Sequence, residues 1–283
     1  MAWASGGNLN VARAGLVGGG SLSAAINFCG AGDVFLNDTE EYDGTSWSTG
    51  GDYPASLSAL GGCGNPSAAL GIGGTTWPTG INATQEYGGA TWSAGGNLST
   101  ARRSNGGCGT QNAGFTHGGW GTSNIASCEE YNGTSWAGGG KLPTATREQR
   151  SLGSQTACLA IAGFDSAYTD NCYEYDGTSW STGGDFPFTG MAGACGGSLD
   201  DGFSAGGFNF TANSYKYNGT SWSAWDSLSA VKGYNCGAGT TSSALSTGGQ
   251  NDTGVLAATE ENDTSVVAPT VTPQNNLAML GVS

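Results

Sequence analysis

Tryptophan recurs at Trp3, Trp47, Trp92, Trp136, Trp180 and Trp222, at steps of 44, 45, 44, 44 and 42 residues. A tyrosine stands five positions before five of them, at Tyr42, Tyr87, Tyr131, Tyr175 and Tyr217. YDGTSWSTGGD at Tyr42–Asp52 returns letter for letter at Tyr175–Asp185. A period of this length means that one small supersecondary unit is repeated, each copy burying its apolar face against its neighbours.

Each unit reads as four short strands. In the second unit, strand a is Leu60–Gly64, strand b Ala68–Gly73, strand c Ala83–Tyr87 and strand d Thr91–Ala94. Strand b ends in a doublet: Gly73-Gly74, Gly118-Gly119, Gly206-Gly207 and Gly248-Gly249, with Cys29-Gly30 and Ala162-Gly163 in the other two units. The link from c to d is Asp-Gly in units one and four and Asn-Gly in units three and five. Such pairs tolerate positive φ at both turn positions, which predicts two-residue type I′ hairpins. Helical periodicity of useful length is absent. Four strands per unit and about 44 residues per repeat predict a β-propeller of six antiparallel blades around an axis. The 53 glycines fit the crowded innermost strands, and the nine Trp, ten Tyr and nine Phe supply a core that disordered chains lack.

The two chain ends are complementary. Ala2–Ser5 holds a Trp with no strand c before it, and Thr259–Asp263 is a strand c whose Trp position is Val266. We expect the N-terminal strand to complete blade six and close the ring, which removes exposed sheet edges. The alternative is that Thr264–Ala268 forms that strand. The propeller then covers residues 1–266, and residues 267–283 form an extended arm that joins the chain to a larger assembly.

The succession Asn-Leu-x-x-Ala-Arg at Asn8–Arg13, a glycine doublet, Glu-Tyr, and Trp five positions later resembles the kelch repeat. The Gly-His and Trp-Asp signature of WD repeats is out of phase, since Trp225-Asp226 occurs once. The texture WSAGGNLSTAR with EEYNGTSW is similar to kelch-like proteins of marine bacteriophages. That resemblance implies a virion structural or adhesion protein of a tail, fibre or capsid appendage. Its partners would be other virion proteins or a host receptor, a glycan included. The alternative is an intracellular or exported kelch module that binds protein or glycan. No basic n-region or apolar h-region opens the chain, so no signal peptide is expected.

Net charge is −14, which disfavours nucleic acid and anionic membrane as partners. No apolar run is long enough to span a bilayer. His117 is the only histidine, so a His-dependent dyad has one candidate base. The copper site of galactose oxidase, a kelch-type enzyme, uses two His with two Tyr, which this chain cannot supply. We therefore expect no enzyme, no cofactor and no metal.

Arg13, Arg102, Arg103 and Arg147, with Arg150, are most of the scarce bases, and three appear in one phase entering strand a. Guanidinium forks there suit a carboxylate or sulfate on a partner; the competing role is structural, bonding interblade carbonyls. Cys63, Cys108, Cys195 and Cys236 read as one strand-a phase, shared with Gly19 and Leu152, of packed free thiols. Cys128 and Cys172, in phase on strand c of adjacent blades, are a disulfide candidate. Glu41, Glu86, Glu130, Glu174 and Glu261, a series broken by Lys216, read as solubilising strand positions. Every connection reads as short, with no loop that looks like a specificity determinant. The six Trp are expected to fill the interfaces between blades.

Overall fold

The computed structural model describes residues 2–264. The proposed arm, residues 267–283, lies outside the described residues, as does most of the alternative strand Thr264–Ala268.

Among the described residues the chain forms six four-stranded antiparallel sheets and one two-stranded ribbon, Gln250–Asn251 with Gly254–Val255, and no helix. Blade one is Val17–Ser21, Ala24–Phe28, Thr39–Tyr42 and Trp47–Thr49, strands a to d in order. Blade two is Gly61–Asn65, Ala68–Ile72, Thr84–Tyr87 and Trp92–Ala94. Blade three is Gly106–Thr110, Ala113–His117, Cys128–Tyr131 and Trp136–Gly138. Blade four is Arg150–Ser154, Ala157–Phe164, Tyr168–Tyr175 and Trp180–Thr182. Blade five is Ala192–Ser198, Asp201–Gly207, Ser214–Tyr217 and Trp222–Trp225. Blade six is Cys236–Thr240, Ser243–Thr247, Thr259–Asp263 and, from the other end of the chain, Ala4–Ser5. Ala4 pairs with Glu261 and Ser5 with Glu260, so the ring is closed by the N-terminal strand. Strand a of every blade packs on strand a of the next, and blade six returns to blade one. The fold is a six-bladed β-propeller.

The innermost strands explain much of the glycine. The penultimate strand-a position is Gly20, Gly64, Gly109, Gly153, Gly197 and Gly239, and all six have φ between 89° and 110°. At Gly109 an added Cβ would sit 2.2 Å from the Ala113 carbonyl oxygen, so only glycine turns the chain into strand b here.

A ring of backbone bonds joins the blades at the doublets. The second doublet N–H donates to the connection entering the next blade: Gly30 to Leu57, Gly74 to Arg102, Gly119 to Thr146, Gly163 to Gly190, Gly207 to Lys232 and Gly249 to Arg13, at 2.8–3.0 Å. Both doublet residues are left-handed in every blade, even where the first is Cys29 (φ 56°) or Ala162 (φ 53°).

The outer strands add a second set of links. Tyr87 Oη donates to Glu41 Oε1 of the preceding blade (2.6 Å), Tyr131 to Glu86 (2.5 Å) and Tyr175 to Glu130 (2.6 Å). Tyr42 pairs likewise with Glu261, and Tyr217 with Glu174. The glutamates read as solubilising positions are therefore interblade acceptors. The sixth interface departs on both sides at once: Lys216 stands in the Glu place of blade five and Asn262 in the Tyr place of blade six. There Trp3 packs on Phe203 and Trp225, and its indole N–H donates to the Asp226 carbonyl.

The other tryptophans follow a related rule. Each ring lies about 5 Å from its own blade's tyrosine. The indoles of Trp47, Trp92 and Trp136 donate to Thr259, Thr39 and Thr84 on strand c of the preceding blade. Cys128 and Cys172 occupy that threonine position before Trp180 and Trp222, which is why they are in phase. They form no disulfide; all eight cysteines are free thiols.

Three readings need correction. In the c–d turns only the glycine has positive φ, Gly44 (92°), Gly133 (86°), Gly177 (89°) and Gly219 (85°), with none at the Asp or Asn before it. That is the φ pattern of a II′ turn centred on Gly-Thr, not a I′ turn on Asp-Gly. The acid or amide instead accepts from the turn N–H groups, as Asp43 Oδ1 does from Thr45 and Ser46 at 2.8 Å. Second, ladder register places Gly19, Cys63, Cys108, Leu152, Gly196 and Ala238 in one phase, so Cys195 lies one residue and Cys236 two residues earlier. Third, the b–c connections of blades one to three, residues 29–38, 73–83 and 118–127, are long and lie together with the d–a connections on one face.

Candidate functional site: the loop face and its axial pocket

The two mouths of the axial channel differ. The mouth at the a–b hairpins is about 680 Å³ and is walled by the middle residues of all six a strands, without a charged side chain among the described residues. The opposite mouth, on the loop face, is about 250 Å³ and is lined by Ser104, Glu148, Gln149, Arg150, Tyr168 and Tyr234 among others.

The chain reaches that mouth in an unusual conformation. Gly15, Ala59, Ser104, Glu148 and Tyr234 all have φ of 54–61°. They occupy the same step, four residues before the strand-a position of Cys63 and its equivalents. Ser104 N–H donates to Ala59 O (2.6 Å), Glu148 N–H to Ser104 O (2.9 Å) and Gly15 N–H to Tyr234 O (2.8 Å), each to the preceding blade. A left-handed non-glycine residue costs about 1–3 kcal/mol and persists where its surroundings hold it. These interblade bonds do so, and the effect is to present Ser, Glu and Tyr side chains at the axis.

Glu148 is engaged by Arg147 Nε and by Tyr168 Oη, both at 3.4 Å. Burial and the nearby Glu148 carboxylate raise the pKa values of Tyr168 and Tyr234. Arg150 lies beneath Glu148 and also lines the narrow waist of the channel. Gln149 is 4% exposed, and neither side-chain polar atom has a hydrogen-bond partner.

The four arginines divide into two pairs. Arg13 and Arg102 share one register and are fully buried, so they are not available to a partner. Arg13 bonds Glu40 Oε1 at 2.6 Å and the carbonyls of Cys29 and Asp38; Arg102 bonds Glu129 Oε1 at 2.7 Å and the carbonyls of Gly118 and Ser127. Lys232 repeats the arrangement with Glu260 at 3.0 Å. Where the base is missing, the acid is missing too: Leu57 faces the blade of Gln85, Thr146 that of Tyr173, and Gly190 that of Tyr215. These pairs tie each incoming connection to strand c of its own blade.

Arg103 and Arg147 lie one residue further on and are half-exposed on the loop face. Arg103 stacks over Trp77 at 4.6 Å; Arg147 lies over Phe164 (4.1 Å) and Trp120 (4.8 Å) and donates to Asn124 Oδ1. Glu148, Gln149, Tyr168 and Tyr234 were missed: Glu148 and Tyr234 fall twelve residues after Trp136 and Trp222, in phase with the landmarks, but Gly15, Ala59 and Ser104 hold that step in other blades, so no recurring residue type marks it.

His117 is buried, with Nε2 2.7 Å from Ser151 Oγ. Burial pulls its pKa down to about 3, so the ring is neutral at physiological pH. No group of three or more His, Cys, Asp or Glu fit to hold a metal ion occurs among the described residues.

No family model matches the chain, and no curated protein matches it. Among solved structures it is similar to that of YjhT, with a TM-score of 0.74 at 13% identity, covering 89% of this chain and 95% of that one. At that identity the likeness concerns the fold alone.

Proposed function

We propose that this chain is a non-catalytic binding propeller of kelch type, carried on a phage virion, which engages a protein or host receptor through its loop face. One observation carries the binding reading. The exposed large hydrophobic residues among those described, Val34, Trp77, Val231 and Val255, all stand on b–c or d–a connections, with Trp77 64% exposed. Arg103 and Arg147, stacked on aromatic rings, lie on the same face. Arginine and tryptophan are the residues that most often anchor interfaces, and a net charge of −14 elsewhere discourages non-specific association. The virion placement rests on the sequence texture that resembles marine phage kelch-like proteins.

Mass spectrometry of purified particles tests the placement; absence of the chain from virions favours the intracellular or exported module instead. Adsorption of particles carrying Trp77→Ala with Arg103→Ala tests the face. The reading predicts a loss of adsorption of tenfold or more, and unchanged adsorption contradicts it.

A further inference from the structure

Arg150 opens strand a of blade four, a position held by Val17, Gly61, Gly106, Ala194 and Cys236 in the other blades. Among the described residues it is the one charged residue lining the waist of the channel. Its Nε is buried without a hydrogen-bond partner, and it makes no ion pair among the described residues. Burial raises the pKa values of the Cys195 and Cys236 thiols and the Tyr234 phenol, and the Arg150 charge offsets part of that rise, so the guanidinium lies near groups of blades five and six. Arg150 is half-buried; the fully buried bases, Arg13, Arg102 and Lys232, each have a carboxylate. Leaving a partly desolvated guanidinium unpaired is costly.

A second observation points the same way. Gln149, 4% exposed, lines both the waist and the loop-face cavity with both amide atoms unpartnered. It approaches the His117 ring without completing a hydrogen bond of normal geometry. An amide donor and a guanidinium fork at the bottom of a cavity of about 250 Å³ suit a planar oxyanion. Glu148 on the same wall sets the charge limit: it repels a dianion but accepts a hydrogen bond from a hydroxyl beside a carboxylate. Tyr168 and Tyr234 supply further hydroxyl groups and apolar wall.

We propose that the axial pocket under the loop face binds a small hydroxylated monocarboxylate, its carboxylate held by Arg150 and Gln149 and its hydroxyl by Glu148. This goes beyond the binding of a macromolecule by the outer loops and does not depend on it.

The test is titration of the full chain with lactate, lactamide and inorganic phosphate at constant ionic strength, followed by calorimetry and by thermal shift. Lactate should saturate one site and raise the melting temperature. Lactamide, which lacks the carboxylate charge, and phosphate should bind at least tenfold more weakly. Arg150→Gln should weaken lactate at least tenfold, and Arg150→Lys should give an intermediate loss, since it keeps the charge but not the fork. Glu148→Gln should improve phosphate relative to lactate; that variant keeps the test decisive if Arg150→Gln melts abnormally. No saturable lactate binding, equal binding of lactamide, or an unchanged affinity in folded Arg150→Gln each overturns the proposal.

Discussion

The hydroxyl of Tyr87 donates to Glu41 Oε1 across the interface between blades one and two at 2.6 Å, and accepts from Gly51 N–H of blade one at 3.3 Å. Four other interfaces carry the same Tyr–Glu contact. Truncation should therefore loosen one interface without collapsing a blade. Tyr87→Phe and Glu41→Gln should each destabilise by about 1 kcal/mol, the half-exposed setting reducing the figure usual for charged hydrogen bonds. A double-mutant cycle by urea unfolding should show coupling between them. Burial, then the bond to Glu41, pushes the Tyr87 pKa up to about 12 from an ordinary value of 10. Its folded-state pKa is raised, so the contribution is fully present below pH 10 and is lost as pH rises through 12. Ultraviolet titration of tyrosinate should show a late-titrating class that Tyr87→Phe reduces.

The buried Arg102–Glu129 pair is replaced in blade two by Leu57 and Gln85, two neutral residues at the same step. Removing one partner strands a buried charge, so Arg102→Leu alone should cost about 3–5 kcal/mol. Arg102→Leu combined with Glu129→Gln copies blade two and should recover most of that loss. Denaturant unfolding of the single and double variants checks this.

Glycine has two different jobs here. Gly109 is left-handed (φ 99°) and its added Cβ would meet the Ala113 carbonyl oxygen at 2.2 Å. Gly138 has no atom within 4 Å of an added Cβ. Gly109→Ala should destabilise by at least about 1–3 kcal/mol, whereas Gly138→Ala should be close to neutral in the same melting experiment.

His117 is held neutral in the fold, with a pKa of about 3 caused first by burial. Its folded value is depressed below the unfolded value of about 6.5, so the unfolded chain binds the extra proton. Stability should fall as pH drops from about 6.5 toward 3. His117→Gln should flatten this part of the stability–pH profile measured by thermal melting.

The landmarks legible in the sequence are the ones that repeat in register: Trp at the end of each unit, Tyr before it, the doublet between. They place the six blades and the closure by Ala4–Ser5. What was harder to read crosses between units. Glu41 looks like a solvated strand residue until Tyr87 of the next blade is placed over it. Lys216 is visible as a break in the Glu series, but its counterpart Asn262 matters only once blades five and six are neighbours. Arg13 and Arg103 look alike in sequence, yet one residue of register puts the first in the interior and the second on a tryptophan at the surface. The axial pocket was less legible still, because Arg150, Gln149 and Tyr234 come from two different blades and converge only at the axis.

Closure by the first strand is the claim on which the ring depends. Trp3 fills the interface with Phe203 and Trp225, and Ala4 and Ser5 supply the fourth strand of blade six. The direct measurement is the thermal melt of the chain lacking residues 1–5 beside the intact chain. We expect the truncated chain to melt well below the intact one, or to aggregate through the exposed edge of Thr259–Asp263. A melt coincident with that of the intact chain contradicts the account.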